Sequence, residues 1–155
     1  MTKEQIDVVV DYAKKLDFPK DKIFVADEVN TTNTSMMYDD ILIINNDVYP
    51  LVNPPHNPNA RISAKGTIAH EIVGHYETAL KGTSFEQFDI IDRMPVRNVY
   101  NTALDEAQAS IRAARFAPEL TSSERYTLLR DGISRLKKAN LNVRDVKDLL
   151  DIKQR

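Results

Sequence analysis

The chain has no cysteine and no tryptophan, four glycines, and three histidines among 155 residues. The absence of cysteine excludes a disulfide framework, a thiolate metal site and a cysteine nucleophile. Any metal would therefore have to be held by histidine and carboxylate. No apolar run approaches the roughly 20 residues that a membrane helix needs. The opening run MTKEQIDVVVDYAKKLD mixes charges through its apolar positions, so no signal peptide is expected. A net charge of −2 supplies no electrostatic footprint for nucleic acid or an anionic membrane. What is present, 42% hydrophobic and 28% charged residues, suits one globular domain over residues 1–155 with one modest core.

Ile6, Val9, Val10, Ala13 and Leu16 recur at helical spacing, predicting an amphipathic helix over residues 3–16 that ends before Phe18-Pro19. Residues 22–26 (KIFVA) and 41–45 (ILIIN) are short, β-branched and bounded by turn residues, so both read as strands. The intervening NTTNTSMMYDD fits either a hairpin arm or a loop. The stretch NDVYPLVNPPHNPNA carries four of the seven prolines and must be irregular. After residue 60 the pattern reads as helical throughout. A mostly apolar stripe over residues 62–80 predicts a central, buried helix closed by Gly82. Residues 83–97 break the pattern at Pro95. An alanine-rich helix then runs to Pro118, and Thr121 with Glu124 makes a capping box for the next. Asn142 with Asp145 marks a last short helix ending near Leu150. The expected fold class is α+β, with a small N-terminal sheet and a helical C-terminal half.

Two of the three histidines fall within six residues, in His70-Glu71-Ile72-Val73-Gly74-His75. Two imidazoles flanking a glutamate on a helix form the arrangement that a zinc hydrolase needs. The imidazoles bind Zn²⁺, and the carboxylate takes a proton from the activated water. The usual spacing is H-E-x-x-H, on one helical face. Here the second histidine is at i+5, and at about 100° per residue an ideal α-helix would separate the two side chains by about 140°. Either the spacing destroys the site or a π-bulge widens one turn and restores a common face. Gly74, just before the second histidine, relaxes the backbone sterics there.

HEIVGH resembles the H-E-x-x-x-H signature of dipeptidyl peptidase III, a zinc peptidase family. In that family the third ligand is a glutamate on a later helix, within an acidic-acidic-x-x-Ala-acidic motif. Asp105-Glu106-Ala107-Gln108-Ala109-Ser110 stands in the corresponding place, so the resemblance implies Glu106 as third ligand, with Ser110 at the final acidic position. A second likeness, over about residues 60–140, is to the zincin-like toxin modules at the C-terminal ends of bacterial polymorphic and Rhs-type secreted proteins. It implies a zincin-like metallopeptidase with Zn²⁺ as cofactor and a peptide or protein as substrate. It also implies a cognate immunity protein as partner, while the charge balance and the lack of a long apolar run argue for no nucleic-acid or membrane partner. Such a domain would be cytoplasmic in its producer and delivered into target cells within a larger secreted protein. Two alternatives stand beside it: an inactive zincin-like metal-binding module for partner recognition, and an intracellular regulatory peptidase.

The expected site is therefore His70, His75 and Glu106 as ligands with Glu71 as general base. Asp105 is the obvious rival ligand at the neighbouring position, Glu77 is a weaker alternative, and His56 is a loop residue that could line the cleft. Tyr100, Arg97, Arg112, Arg115 and Tyr126 are candidates for stabilising an oxyanion, with ion pairing the better reading of Arg112 and Arg115. The basic residues Arg125, Arg130, Arg135, Lys137 and Lys138 read as a solvated helix face. Met36-Met37-Tyr38 reads as core packing ahead of a sticky surface.

Overall fold

Thr2 opens the first helix with a full capping box: its hydroxyl accepts from Gln5 N, and the Gln5 side chain accepts from Thr2 N. The computed structural model describes residues 1–26 and 33–155. Helix α1 (Lys3–Lys15) buries Val9, Tyr12 and Ala13. Three short strands follow: β1 (Ile23–Val25), β2 (Ser35–Met37) and β3 (Ile41–Ile44). They form one sheet in the order β1-β3-β2, with β1 parallel and β2 antiparallel to the central β3. The part of the NTTNTSMMYDD segment before Asn33 lies outside the described residues, and the rest supplies β2 as a hairpin arm to β3. Met36 packs against the core, while Tyr38 sits exposed on the tight turn with a positive φ.

The central rod spans Ala64 to Lys81 in three pieces. Helix α2 (Ala64–Ala69) passes into a π-helical segment (His70–Tyr76), which passes into α3 (Glu77–Lys81). Ser63 caps the start by accepting from Gly66 N, and Gly82 stops it at φ 68°, where a side chain would be strained. Ile68, Ala69, Ile72 and Val73 are fully buried, as expected of a core helix.

Residues 83–97 correct the expectation of helix throughout the second half. They contain a hairpin, β4 (Phe88–Ile91) paired antiparallel with β5 (Met94–Arg97). Its two-residue turn, Asp92-Arg93, has positive φ at both positions, the conformation that matches strand twist, but lacks the usual Asn-Gly or Asp-Gly signal. Pro95 is tolerated because this ribbon has free edges.

Helix α4 (Val99–Phe116) lies against the rod, and α5 (Ser122–Lys138) packs on α4, its capping box of Thr121 and Glu124 fully formed. Regular helix in α6 (Val143–Val146) ends four residues before Leu150, and the Asn142 side chain caps no backbone N–H. Two apolar clusters result. One joins α1, the sheet, α2 and the end of α4; the other joins α4 and α5 to Val146, Leu150 and Ile152. The chain is α+β, and its first cluster presses the rod against the sheet so that the π-helical segment faces α4.

Candidate metal centre

An α-helix cannot aim His70 and His75 at one point, and the rod does not remain an α-helix between them. Its seven-residue π stretch widens the turn, and the two ring nitrogens Nε2 come within 3.1 Å of each other. A widened turn leaves carbonyls short of backbone donors. Side chains supply them: the fully buried Arg112 donates Nε to Val73 O at 2.9 Å, and Thr78 Oγ1 donates to Gly74 O at 2.8 Å. Arg112 also pairs with Glu77 and Asp151, so the ion-pair reading of it holds, and Glu77 is spent on that pair and on Arg155.

Gly74 sets the distance to the next helix. A Cβ at this position would stand 2.5 Å from Ala109 Cβ and 2.6 Å from Ala109 Cα, so only glycine permits this crossing. Close approach carries Glu106, one turn earlier on α4, into the cluster. Its Oε2 lies 3.3 Å from His70 Nε2 and its Oε1 3.7 Å from His75 Nε2. The ligand atoms of His70, His75 and Glu106 all fall within 4.8 Å of one another. Four tetrahedral ligands at about 2.0–2.1 Å from zinc stand about 3.3–3.4 Å apart. Measured to the nearer Glu106 oxygen for each imidazole, the separations are 3.1, 3.3 and 3.7 Å, and one ligand atom from each residue gives a triangle within 4.8 Å, a donor set that could hold such an ion.

Asp105 is the neighbour of the cluster rather than a member. Its Oδ2 lies 3.1 Å from His75 Nδ1, while Phe85 N and Gln87 Nε2 donate to the same carboxylate at 2.9 and 2.8 Å. It therefore holds the His75 imidazole from behind, as carboxylates do around metal-binding histidines. Burial pushes the Asp105 carboxyl up, but these donors outweigh it and hold it below its ordinary value. His75 shows the converse. Burial opposes its charge, yet the bond to Asp105 and the charges of Glu71, Glu106 and Asp105 lift it to about 9. A protonated His75 donates Nδ1–H to Asp105 and Nε2–H to His70, and a metal ion held by both rings would require that second proton to leave. Glu106 is likewise pushed up by burial, but the imidazoles of His70 and His75 and the guanidinium of Arg135 hold its carboxyl far below the usual range.

Glu71 is buried beside the cluster, where its Oε2 accepts from Met36 N of β2 at 2.8 Å. Because β2 is an edge strand, this N–H is not needed by β3 and is free to fix the carboxylate. All four residues line one cleft of about 760 Å³, walled by β2 on one side and by residues 84–88 on the other. Of the oxyanion candidates, Arg97 lines this cleft. Tyr100 and Tyr126 are exposed elsewhere, and Arg115 donates to Ile152 O. His56 is exposed, bonded to Arg61 and outside the cleft lining.

Arg135 is the functional residue that sequence reasoning missed, and reading it as part of a solvated face is corrected here. Its guanidinium is half-buried, donates Nε to Asp131 and grips Glu106 with NH1. Arg125 also leaves the face to cap α4, donating to Ala114 O and Ala117 O. The i, i+4 spacing of Asp131 and Arg135 on α5 is visible in the sequence, but the burial of Asp131 that sets this pair apart from a solvated one is visible only in the structure. No family model, curated protein or solved structure matches the chain.

Proposed function

We propose that the chain is a zinc-dependent hydrolase with a zincin-like arrangement, acting on peptide bonds. The observation that carries this reading is a metal-sized triangle of His70, His75 and Glu106 with a fixed carboxylate, Glu71, on the same widened turn. When bound, a zinc ion supplies Lewis acidity, which lowers the pKa of water to about 7 and polarises a carbonyl. Glu71 then works as general base: Oε2 stays anchored to Met36 N, and Oε1 takes the proton from water and passes it to the leaving amine. Arg97 lines the cleft and would face the negative charge that develops on the substrate oxygen, whereas Arg135 is committed to Asp131 and Glu106. The cleft of about 760 Å³ between β2 and residues 84–88 has room for a stretch of polypeptide beside Glu71, which supports a peptide substrate.

The likeness of residues 60–140 to zincin-like toxin modules supports a delivered effector whose producer carries an immunity protein. An inactive binding module is the weaker reading, because a binding site has no use for a base held beside its ligands. Incubation with an unfolded polypeptide, followed by mass spectrometry of the products, tests the activity. Fragments are expected that vanish with a chelator and return with added zinc. Intact substrate, or cleavage indifferent to chelator, would contradict the proposal.

A further inference from the structure

We propose that Asp131 is the positioning carboxylate of the metal site, acting on His70 through the Ser110 hydroxyl and on Glu106 through Arg135. This rests on the metal-centre reading above and extends it to a residue on a different helix, 25 positions beyond Glu106.

The argument begins with a proton count. Ser110 Oγ donates to Asp131 Oδ2 at 2.6 Å, and the same Oγ lies 2.9 Å from His70 Nδ1. A hydroxyl has one proton. With that proton given to a carboxylate, Oγ faces His70 with a lone pair, so Nδ1 must be the protonated nitrogen. In the neutral ring, the form that binds a metal, Nε2 is then bare and turned to the point shared with His75 and Glu106. An uncharged serine could not set this order by itself, because its hydroxyl can rotate to donate or accept. The charge of Asp131 removes the choice.

The same Oδ2 accepts from Arg135 Nε at 2.7 Å, one turn further along α5, and NH1 of that arginine holds Glu106 Oε2. Asp131 thus reaches two of the three ligands through one intermediary each. Its burial is the second observation: Asp131 is 1% exposed and Ser110 is fully buried, so water cannot compete for either bond. A buried carboxylate is costly unless it is satisfied. An apolar pair would join α4 to α5 at lower cost, but it would leave the His70 ring free to turn.

Zinc affinity, measured by competition with a chromophoric chelator, reads this role without relying on turnover. Asp131→Asn keeps the shape and removes the charge, and Ser110→Ala removes the single intermediary. Each is expected to bind zinc ten- to a hundredfold more weakly than the wild type, the usual loss when a partner behind a ligand is removed. Thermal unfolding of the metal-free proteins shows whether the variants are folded. In the wild type the ¹⁵N spectrum of the histidine rings is expected to show His70 with its proton on Nδ1. An Nε2–H tautomer of His70, or folded variants that bind zinc within twofold of the wild type, would overturn the proposal and leave Asp131 as an interhelical tie. A wild type that binds no zinc would overturn the metal centre as well. A wild type that binds zinc but cleaves nothing would refute only the hydrolase.

Discussion

Glu71→Gln is expected to keep its zinc and its fold and to lose hydrolysis by at least 10²- to 10⁴-fold, the range that a positioned general base contributes. The substitution is isosteric, and the amide oxygen of glutamine can still accept from Met36 N, so the anchor to β2 survives. What disappears is the ability to take a proton from water. Glu71 is not in the ligand triangle, so metal content is expected to match the wild type. Steady-state hydrolysis and metal analysis on the same preparation check both halves. Full activity in this variant would refute the base assignment, and loss of zinc would move Glu71 into the ligand set.

Gly74→Ala is expected to damage the site without touching any ligand. The added Cβ would meet Ala109 Cβ at 2.5 Å and the Ala109 backbone at 2.6 Å, closer than packed carbons stand. The obstruction is helix against helix, with backbone on both sides, so no flexible side-chain end can swing away. Relief requires moving the π-helical segment from α4, and Glu106 rides on α4. Overpacking of this kind costs about 1–3 kcal/mol. Separation of the two helices also carries Glu106 away from His70 and His75, whose ring nitrogens now lie 3.3 and 3.7 Å from its nearer oxygens. A lowered melting temperature together with loss of zinc is the expected result. Unchanged zinc affinity would show that Gly74 does not set the helix spacing.

How much of this was legible beforehand depended on whether the determining residues were close together in the chain. The α-helices were readable from apolar spacing and from caps such as Thr121 with Glu124, which act within one turn. The i+5 spacing of His70 and His75 posed a choice between no site and a widened turn, and the π-helical segment is the second. What spacing could not reveal was the support for that turn, because Arg112 and Ala109 come from α4, more than 30 residues away. The hairpin at residues 88–97 was obscured by its Asp92-Arg93 turn and by a proline within a strand. Asp131 and Arg135 escaped for a related reason. An Asp-x-x-x-Arg pair looks the same on a solvated face as in a buried cluster, and only the packing of α5 on α4 separates the two.

Zinc content is the measurement closest to the central claim, that a π-widened turn and a glutamate from α4 build one metal site. Purified wild-type protein is expected to carry one zinc per chain by elemental analysis, with His70→Ala, His75→Ala and Glu106→Ala each falling to a small fraction of that value while remaining folded. A wild type that takes up no zinc, or a Glu106→Ala protein that retains the full complement, would contradict the account.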